Sequence, residues 1–175
     1  MTRRVLVAGI GNIFQTDDAF GVEVATLLAT RTLPPGARVE DFGIRGLHLA
    51  YELLEGYDGL VIVDAVPMGE PPGTLAVIAP EPDSAGSNDT AGESDTADEM
   101  AVVDAHTMNP DVVLTTVHRL GGSVEKILIV GCQPADLRDG MGLTPAVAAA
   151  VEDAAQLCFH LVSEMVEPVT KGAFQ

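Results

Sequence analysis

RVLVAGIGNIFQTDDAFGVEVATLL, residues 4–28, contains a short apolar run, a glycine–asparagine turn and two adjacent aspartates. Residues 4–10 are rich in valine and leucine and end at a Gly-x-Gly turn, which predicts a strand buried on both faces of a parallel sheet. A dinucleotide-binding fingerprint would need a third glycine at position 14, where Phe14 stands. Two carboxylates ahead of the following helix also repel a phosphate. This edge of the protein is therefore expected to meet a cation or a neutral substrate that exchanges protons.

A helix is predicted to follow the aspartates. Apolar residues recur at a spacing of three, at Ala19, Val22, Ala25 and Leu28. We expect Thr16 or Asp17 to cap this helix, because either side chain can accept a hydrogen bond from a backbone N–H at a helix start. Asp18 falls in the first turn, where the positive end of the helix dipole favours an ionised carboxylate. Asp18 is thus available as a ligand or a base.

The charge of the chain is strongly negative and unevenly distributed. The 175 residues carry a formal net charge of -17, and eight of the 26 acidic residues but none of the nine basic ones lie within 80–105. Such a charge argues against nucleic acid or an anionic membrane as partner. The stretch 80–105 lacks apolar periodicity and is predicted to be a flexible acidic insertion, either without a role or a docking segment for a basic partner.

Length and composition predict a single domain over residues 1–175. The sequence has no uninterrupted apolar run of about 18 residues and no signal-peptide pattern, so we expect a cytoplasmic protein without a membrane span. The two cysteines, Cys132 and Cys158, have no C-x-x-C spacing and are predicted to be buried, reduced thiols.

The order of predicted elements indicates an α/β fold. Further strands are predicted at 37–42, 59–63, 74–78 and 126–130, and further helices start near 43–46, 109–110 and 144–145. The link before 74–78 is too short for a parallel crossover, which indicates a mixed sheet with one antiparallel strand.

Two of these helices carry specific expectations. In the second helix of the chain Leu47, Tyr51 and Leu54 are predicted to line one face. In the last helix Thr144 is predicted to be the cap, with one stripe made of Ala148, Val151, Ala155 and Cys158.

Three residues stand out as candidates for chemistry: Asp18, Asp64 and His106. Asp64 directly follows the apolar run 59–63, and His106 lies just ahead of a predicted helix. In open α/β sheets ligands bind beyond the carboxyl ends of strands, so Asp18 and Asp64 are expected on one rim if their strands are neighbours. Two carboxylates and an imidazole suit Ni, Zn, Fe or Mn better than Ca or Mg. They can equally position a water and exchange its proton.

Other candidates are weaker. His48, His118 and His160 lie within predicted helices and are expected at the surface or core edge. The sequence contains no H-E-x-x-H and no G-x-S-x-G, which argues against a thermolysin-like zinc site and a serine hydrolase. Asp18, or its neighbour Asp17, could also serve only as a helix cap.

Several blocks of the sequence resemble the hydrogenase maturation endopeptidases, which trim the C-terminal extension from the large subunit of [NiFe] hydrogenases after nickel insertion. The blocks are GIGNIFQTDDAFGVEVATLL (9–28), GIRGLHLAYELLEGYDGLVIVDAV (43–66), PPGT (71–74), His106-Thr-Met, GCQP (131–134) and GLTPAV (142–147). The resemblance implies an α/β three-layer sandwich, a twisted five-stranded, mostly parallel mixed sheet with helices on both faces.

The resemblance also implies a function. It places the catalytic, metal-binding trio on Asp18, Asp64 and His106, with nickel supplied by the large-subunit precursor and no permanently bound cofactor. The protein would then be a nickel-dependent endopeptidase, monomeric, with that precursor as its partner. Two alternatives remain open: a nickel-independent protease of the same fold that uses paired aspartates, and a non-catalytic module for metal delivery or partner binding.

Overall fold

The computed structural model describes residues 2–80 and 110–168. The strands are β1 (Val5–Ile10), β2 (Ala37–Gly43), β3 (Gly59–Ala65), β4 (Leu75–Ile78) and β5 (Lys126–Cys132). The helices are α1 (Phe20–Leu28), α2 (Gly46–Leu53), α3 (Pro110–Arg119) and α4 (Pro145–Val166), and a 3₁₀ turn spans Thr16–Ala19. Three predictions lie outside the described residues: His106, the helix start at 109 and the acidic stretch 80–105 from residue 81 onward.

The five strands form one mixed sheet with the order β2-β1-β3-β5-β4. The first four are parallel, and β4 runs antiparallel to β5 at the edge. In the centre, Val63 of β3 pairs with Gly9 of β1 on one side and Val130 of β5 on the other. The carboxyl ends of β1, β3 and β5 therefore lie along one side of the sheet, which we call the carboxyl edge.

Alternate residues of the central strands face two separate cores. Val5 and Val7 of β1 pack with α1 and α4, whereas Leu6 and Ala8 pack with α2 and α3. This alternation is the two-residue period of a strand. Helices therefore cover both faces of the sheet, and the predicted three-layer α/β sandwich with five strands is confirmed.

The start of α1 differs from the prediction. All four residues of the predicted apolar face are buried, but neither Thr16 nor Asp17 caps a helix, because the chain first forms the 3₁₀ turn. The Thr16 hydroxyl donates to the carbonyl oxygen of Arg138 at 2.7 Å. The Asp17 carboxylate accepts hydrogen bonds from Ala135, Asp136 and Thr144. Both side chains thus have partners far away in the sequence.

The apolar face of α2 that the sequence indicates is not the face that is buried. Leu49, Ala50 and Leu53 are buried, whereas Leu47 and Tyr51 are exposed. A helix of eight residues with many apolar positions carries two overlapping stripes, and local periodicity does not choose between them. Packing against the core that contains Phe42 selects the observed stripe.

Helix α4 begins and ends where the sequence predicts. Thr144 precedes it but makes no capping hydrogen bond with its side chain. On the predicted stripe Ala155 and Cys158 are buried, while Ala148 is exposed and Val151 is intermediate. With 22 residues and a hydropathy of 1.2, α4 is the single helix in the described part of the chain long and apolar enough to cross a membrane, and 33% of that window is buried. Its buried residues belong to the core shared with α1.

Candidate active site

Asp64 is the sixth residue of β3 and lies at the carboxyl edge, paired in register with Gly131 of β5. Leu60 and Ile62 of the same strand belong to the core beneath α2 and α3, so strand alternation directs Asp64 to that face. Burial, and after it the negative charge of Asp18, raises the pKa of Asp64 to about 8. Asp64 is therefore mostly protonated at neutral pH.

Asp18 is held at the same edge by the turn that follows β1. Its Oδ2 accepts a hydrogen bond from the backbone N–H of Asn12 at 2.7 Å. Gly11 has a φ of +142°, and a Cβ on this residue would lie 1.8 Å from the carbonyl oxygen of Asp18. Only glycine allows the chain to fold back so closely. The glycine of the turn thus sets the place of the Asp18 carboxylate.

Gly21, in the first turn of α1, allows the helix to pack closely against the sheet. A Cβ here would lie 2.1 Å from the carbonyl oxygen of Val63 and 2.3 Å from that of Ile10. These carbonyls belong to β3 and β1, so the start of α1 rests on the carboxyl ends of two neighbouring strands. This packing brings Asp18 close enough for its negative charge to contribute, after burial, to the raised pKa of Asp64.

The two carboxyl groups form an asymmetric acid pair. Asp64 keeps its proton because burial penalises the carboxylate and Asp18 adds a like charge. Such a pair can take a proton from a water and give one to a leaving group. It can also lose its proton and offer oxygen ligands to a metal ion.

Asp17 has a structural role that differs from the role of its neighbour Asp18. It is fully buried and accepts hydrogen bonds from the backbone N–H groups of Ala135 at 2.8 Å, Asp136 at 3.0 Å and Thr144 at 2.7 Å. Burial alone would raise the pKa of Asp17, but these hydrogen bonds together lower it. Asp17 therefore fastens the turn that carries Asp18 to the loop between β5 and α4.

Gln133 is a further residue whose role the sequence analysis missed. Its Oε1 accepts hydrogen bonds from the backbone N–H groups of Met68 and Glu70, in the loop that leaves Asp64. Its backbone N–H donates to the carbonyl oxygen of Thr74 at 2.9 Å. Gln133 thus fixes the loop beside Asp64. The GCQP block was the only signal in the sequence that pointed to it.

The structure brings together two of the three predicted ligands. Within residues 2–80 and 110–168 no group of three His, Cys, Asp or Glu side chains could hold a metal ion. His106 lies outside this part of the chain. The acid pair fits a metal only as part of a larger ligand set, since two carboxylates leave most positions of a transition-metal ion open.

The remaining histidines and the cysteines lie as expected. His48, His118 and His160 are exposed on α2, α3 and α4. Cys132 and Cys158 are buried and reduced. Burial, followed by the charge of Asp17, raises the pKa of Cys132 to about 11, so this thiol is a poor nucleophile and a poor metal ligand at neutral pH.

The fold and the site together define an α/β protein with a paired-carboxylate site at the carboxyl edge of its sheet. A hydrogenase maturation protease family model matches residues 22–160, a range that includes Asp64 and position 106 but starts after Asp18. The hydrogenase expression/formation protein HupD of Rhodobacter capsulatus is 34% identical over 174 residues, which cover 97% of this chain and 76% of the relative. The hydrogenase 2 maturation protease of Escherichia coli K12 is 31% identical over 173 residues, which cover 97% and 98%.

A solved structure supports the same family. The hydrogenase maturating endopeptidase HybD from E. coli superposes with a TM-score of 0.72 at 29% identity, covering 92% of this chain and 93% of that one. The chain belongs to the hydrogenase maturation protease family. It is accordingly an endopeptidase, a hydrolase of peptide bonds.

Proposed function

We propose that this protein removes the C-terminal extension of a [NiFe] hydrogenase large-subunit precursor after nickel has been inserted, and that it recognises the bound nickel. The observation that carries the proposal is the acid pair, Asp18 and Asp64, held at the carboxyl edge of the sheet in a member of this protease family. Nickel is here part of the substrate. The negative net charge of the chain supports a protein partner rather than nucleic acid or a membrane, and we propose a monomeric, cytoplasmic enzyme.

In this proposal Asp18, Asp64 and His106 complete the coordination of the precursor's nickel. Asp64 would lose its proton as it meets the cation, because metal ligands bind in the deprotonated form. Oxygen and nitrogen ligands suit a late first-row metal. The site would bind a nickel ion that is already coordinated by the precursor.

The topology supports His106 as the third member. Helix α3 packs on the face of the sheet to which Asp64 points. It leads into β5, which is parallel to β3, so α3 runs against the strands and starts at the carboxyl edge. His106 precedes Pro110, the first residue of α3, by four positions. Four residues span at most about 14 Å, and we propose that His106 reaches the acid pair from the start of α3.

Cleavage requires a water to attack the carbonyl carbon of the scissile bond. The proton of the water passes to a carboxylate, the C–N bond breaks, and the leaving amine takes up a proton. The nickel ion could polarise the carbonyl or the water. The acid pair could instead perform the whole exchange, with Asp18 as base and Asp64 as acid.

This second route corresponds to a nickel-independent paired-aspartate protease. The pKa of about 8 for Asp64 favours it, since a carboxyl that stays protonated at neutral pH can donate its proton to a leaving group. The two candidate functions differ in what they require of the substrate.

The experiment compares nickel-loaded and nickel-free precursor as substrates of the wild-type protein. We expect the nickel-loaded precursor to be shortened and the nickel-free form to remain intact over the same time. Equal cleavage of both forms would favour the paired-aspartate protease. Stoichiometric binding without shortening would indicate a delivery or partner-binding module. His118→Ala, which alters an exposed residue of α3, is the matched control and should cleave normally.

A further inference from the structure

Four exposed large apolar side chains lie on two adjoining loops at the carboxyl edge, next to the acid pair. Ile13 and Phe14 follow β1 and are 41% and 60% exposed, whereas Leu137 and Met141 follow β5 and are 42% and 75% exposed. We call these four residues the apolar patch. Apolar surface of this kind that is concentrated in one place commonly marks an interaction site.

The two loops that carry the apolar patch are joined by their backbones. Gly140 donates its N–H to the carbonyl oxygen of Phe14 at 2.9 Å, and Thr16 donates its N–H to the carbonyl oxygen of Gly140 at 3.0 Å. Thr16 adopts a φ of 50°, a strained conformation for a β-branched residue. Its hydroxyl hydrogen bond to Arg138 helps to hold it there. The patch therefore lies on a fixed platform.

This platform adjoins Asp18. Asn12 accepts the N–H of Phe14 with its side chain at 2.9 Å and donates its own N–H to Asp18 at 2.7 Å. β3 lies between β1 and β5 in the sheet, so the joined loops cross the end of β3, where Asp64 is located. The apolar patch therefore lies at the carboxyl edge, next to the acid pair.

The charge of the protein helps to decide which molecule binds the apolar patch. The guanidinium of Arg138 pairs with Asp136 at 2.7 Å. Two copies of a chain with a net charge of -17 repel each other. Four partly exposed side chains also cover less than the roughly 800 Å² per partner of a standard interface. A second copy of this chain is thus a poor occupant.

We infer that the apolar patch binds large apolar side chains of the precursor segment that flanks the scissile bond. This inference rests on the proposed function, because it assumes that a polypeptide is presented to Asp18 and Asp64. The occupant is an extended peptide with at least one large apolar residue near the bond to be cut. The patch supplies binding, and the acid pair supplies chemistry.

The test uses the double variant Phe14→Ser/Met141→Ser and a nickel-loaded precursor that the wild-type protein cleaves. Loss of two large apolar contacts should raise KM at least 10-fold, with kcat changed by less than about 2-fold, since these contacts contribute to substrate binding and not to the chemical step. Leu120→Ser is the matched control, because Leu120 is also exposed but follows α3 at the opposite edge of the sheet. Its KM should equal that of the wild type. Equal thermal midpoints show that all variants are folded.

The outcomes separate the inference from the proposed function. An unchanged KM in the double variant, with cleavage abolished by Asp64→Asn, would overturn the patch and leave the protease function in place. Normal cleavage by Asp64→Asn would overturn the proposed function and the inference with it. A wild-type dimer that dissociates in the double variant, seen by sedimentation, would assign the patch to a second copy and contradict the inference.

Discussion

Thr144 donates both its backbone N–H, at 2.7 Å, and its hydroxyl, at 2.9 Å, to the carboxylate of Asp17. The two residues are 127 positions apart. Their contact joins the turn that carries Asp18 to the start of α4. The acid pair is therefore positioned by a carboxylate that lies outside it.

Asp17→Asn should destabilise the protein by roughly 3 kcal/mol, because the amide cannot accept from all of the donors that now meet a buried charge. Urea unfolding measures this loss. Asp139→Asn, an exposed change in the same loop, should stay within about 0.5 kcal/mol of the wild type. An Asp17→Asn protein as stable as the wild type would show that these hydrogen bonds contribute nothing net.

The Asp17 contribution should also depend on pH. Its hydrogen bonds lower the pKa of Asp17 in the folded state from 3.8. The stabilisation is then fully present above the unfolded pKa and is lost as the pH falls through the lower folded value. The difference in free energy of unfolding between wild type and Asp17→Asn should be constant near neutral pH and shrink in acid. A difference that stays the same in acid would contradict this assignment.

The contribution of Asp64 to stability should change with pH in the opposite direction. Burial and the charge of Asp18 raise its folded pKa from 3.8 to about 8, so its contribution is fully present below the unfolded pKa and is lost as the pH rises through the folded one. Asp64→Asn should therefore gain stability relative to the wild type, by roughly 5 kcal/mol between acid and about pH 8. Chemical denaturation at a series of pH values measures it. Asp153→Asn, an exposed change on α4, should follow the wild-type curve.

The pH profile of kcat/KM distinguishes the two roles of Asp64, because this parameter reports groups of the free enzyme. A role as metal ligand predicts a rate that rises toward the pKa of about 8 and then levels off. A role as general acid predicts a rate that falls above this value. We expect the rising profile with nickel-loaded precursor. A falling limb near pH 8 would favour the paired-aspartate route.

Gly21→Ala tests how the sheet and α1 bring the acids together. A Cβ at this position meets the carbonyl oxygens of Val63 and Ile10, so we expect a loss of about 2–3 kcal/mol from overpacking, measured by urea unfolding. Gly69→Ala is the control, since nothing lies within 4 Å of its Cβ and its φ of +74° costs only the left-handed conformation, about 1 kcal/mol. Equal losses of stability in the two variants would mean that α1 can move away from the sheet without loss of free energy.

The sequence predicts the parts of this structure that local pattern determines. The run 59–63 is so apolar that the following Asp64 stands out, and the neighbouring strand places Asp18 at the same edge of the sheet. The difference between Asp17 and Asp18 is invisible in the sequence, because adjacent acids look alike and the partners of Asp17 lie more than a hundred residues away. The buried face of α2 was missed for a similar reason, since tertiary packing chose between Leu47 and Leu49.

In the proposed function Asp18 and Asp64 carry out the cleavage of a nickel-loaded precursor. The most direct test is single-turnover cleavage of that precursor by Asp18→Asn and by Asp64→Asn, next to wild type and His118→Ala. We predict that each aspartate variant loses at least 100-fold in rate, an effect of about 2.7 kcal/mol, while His118→Ala retains the wild-type rate. Wild-type rates in both aspartate variants would contradict the account.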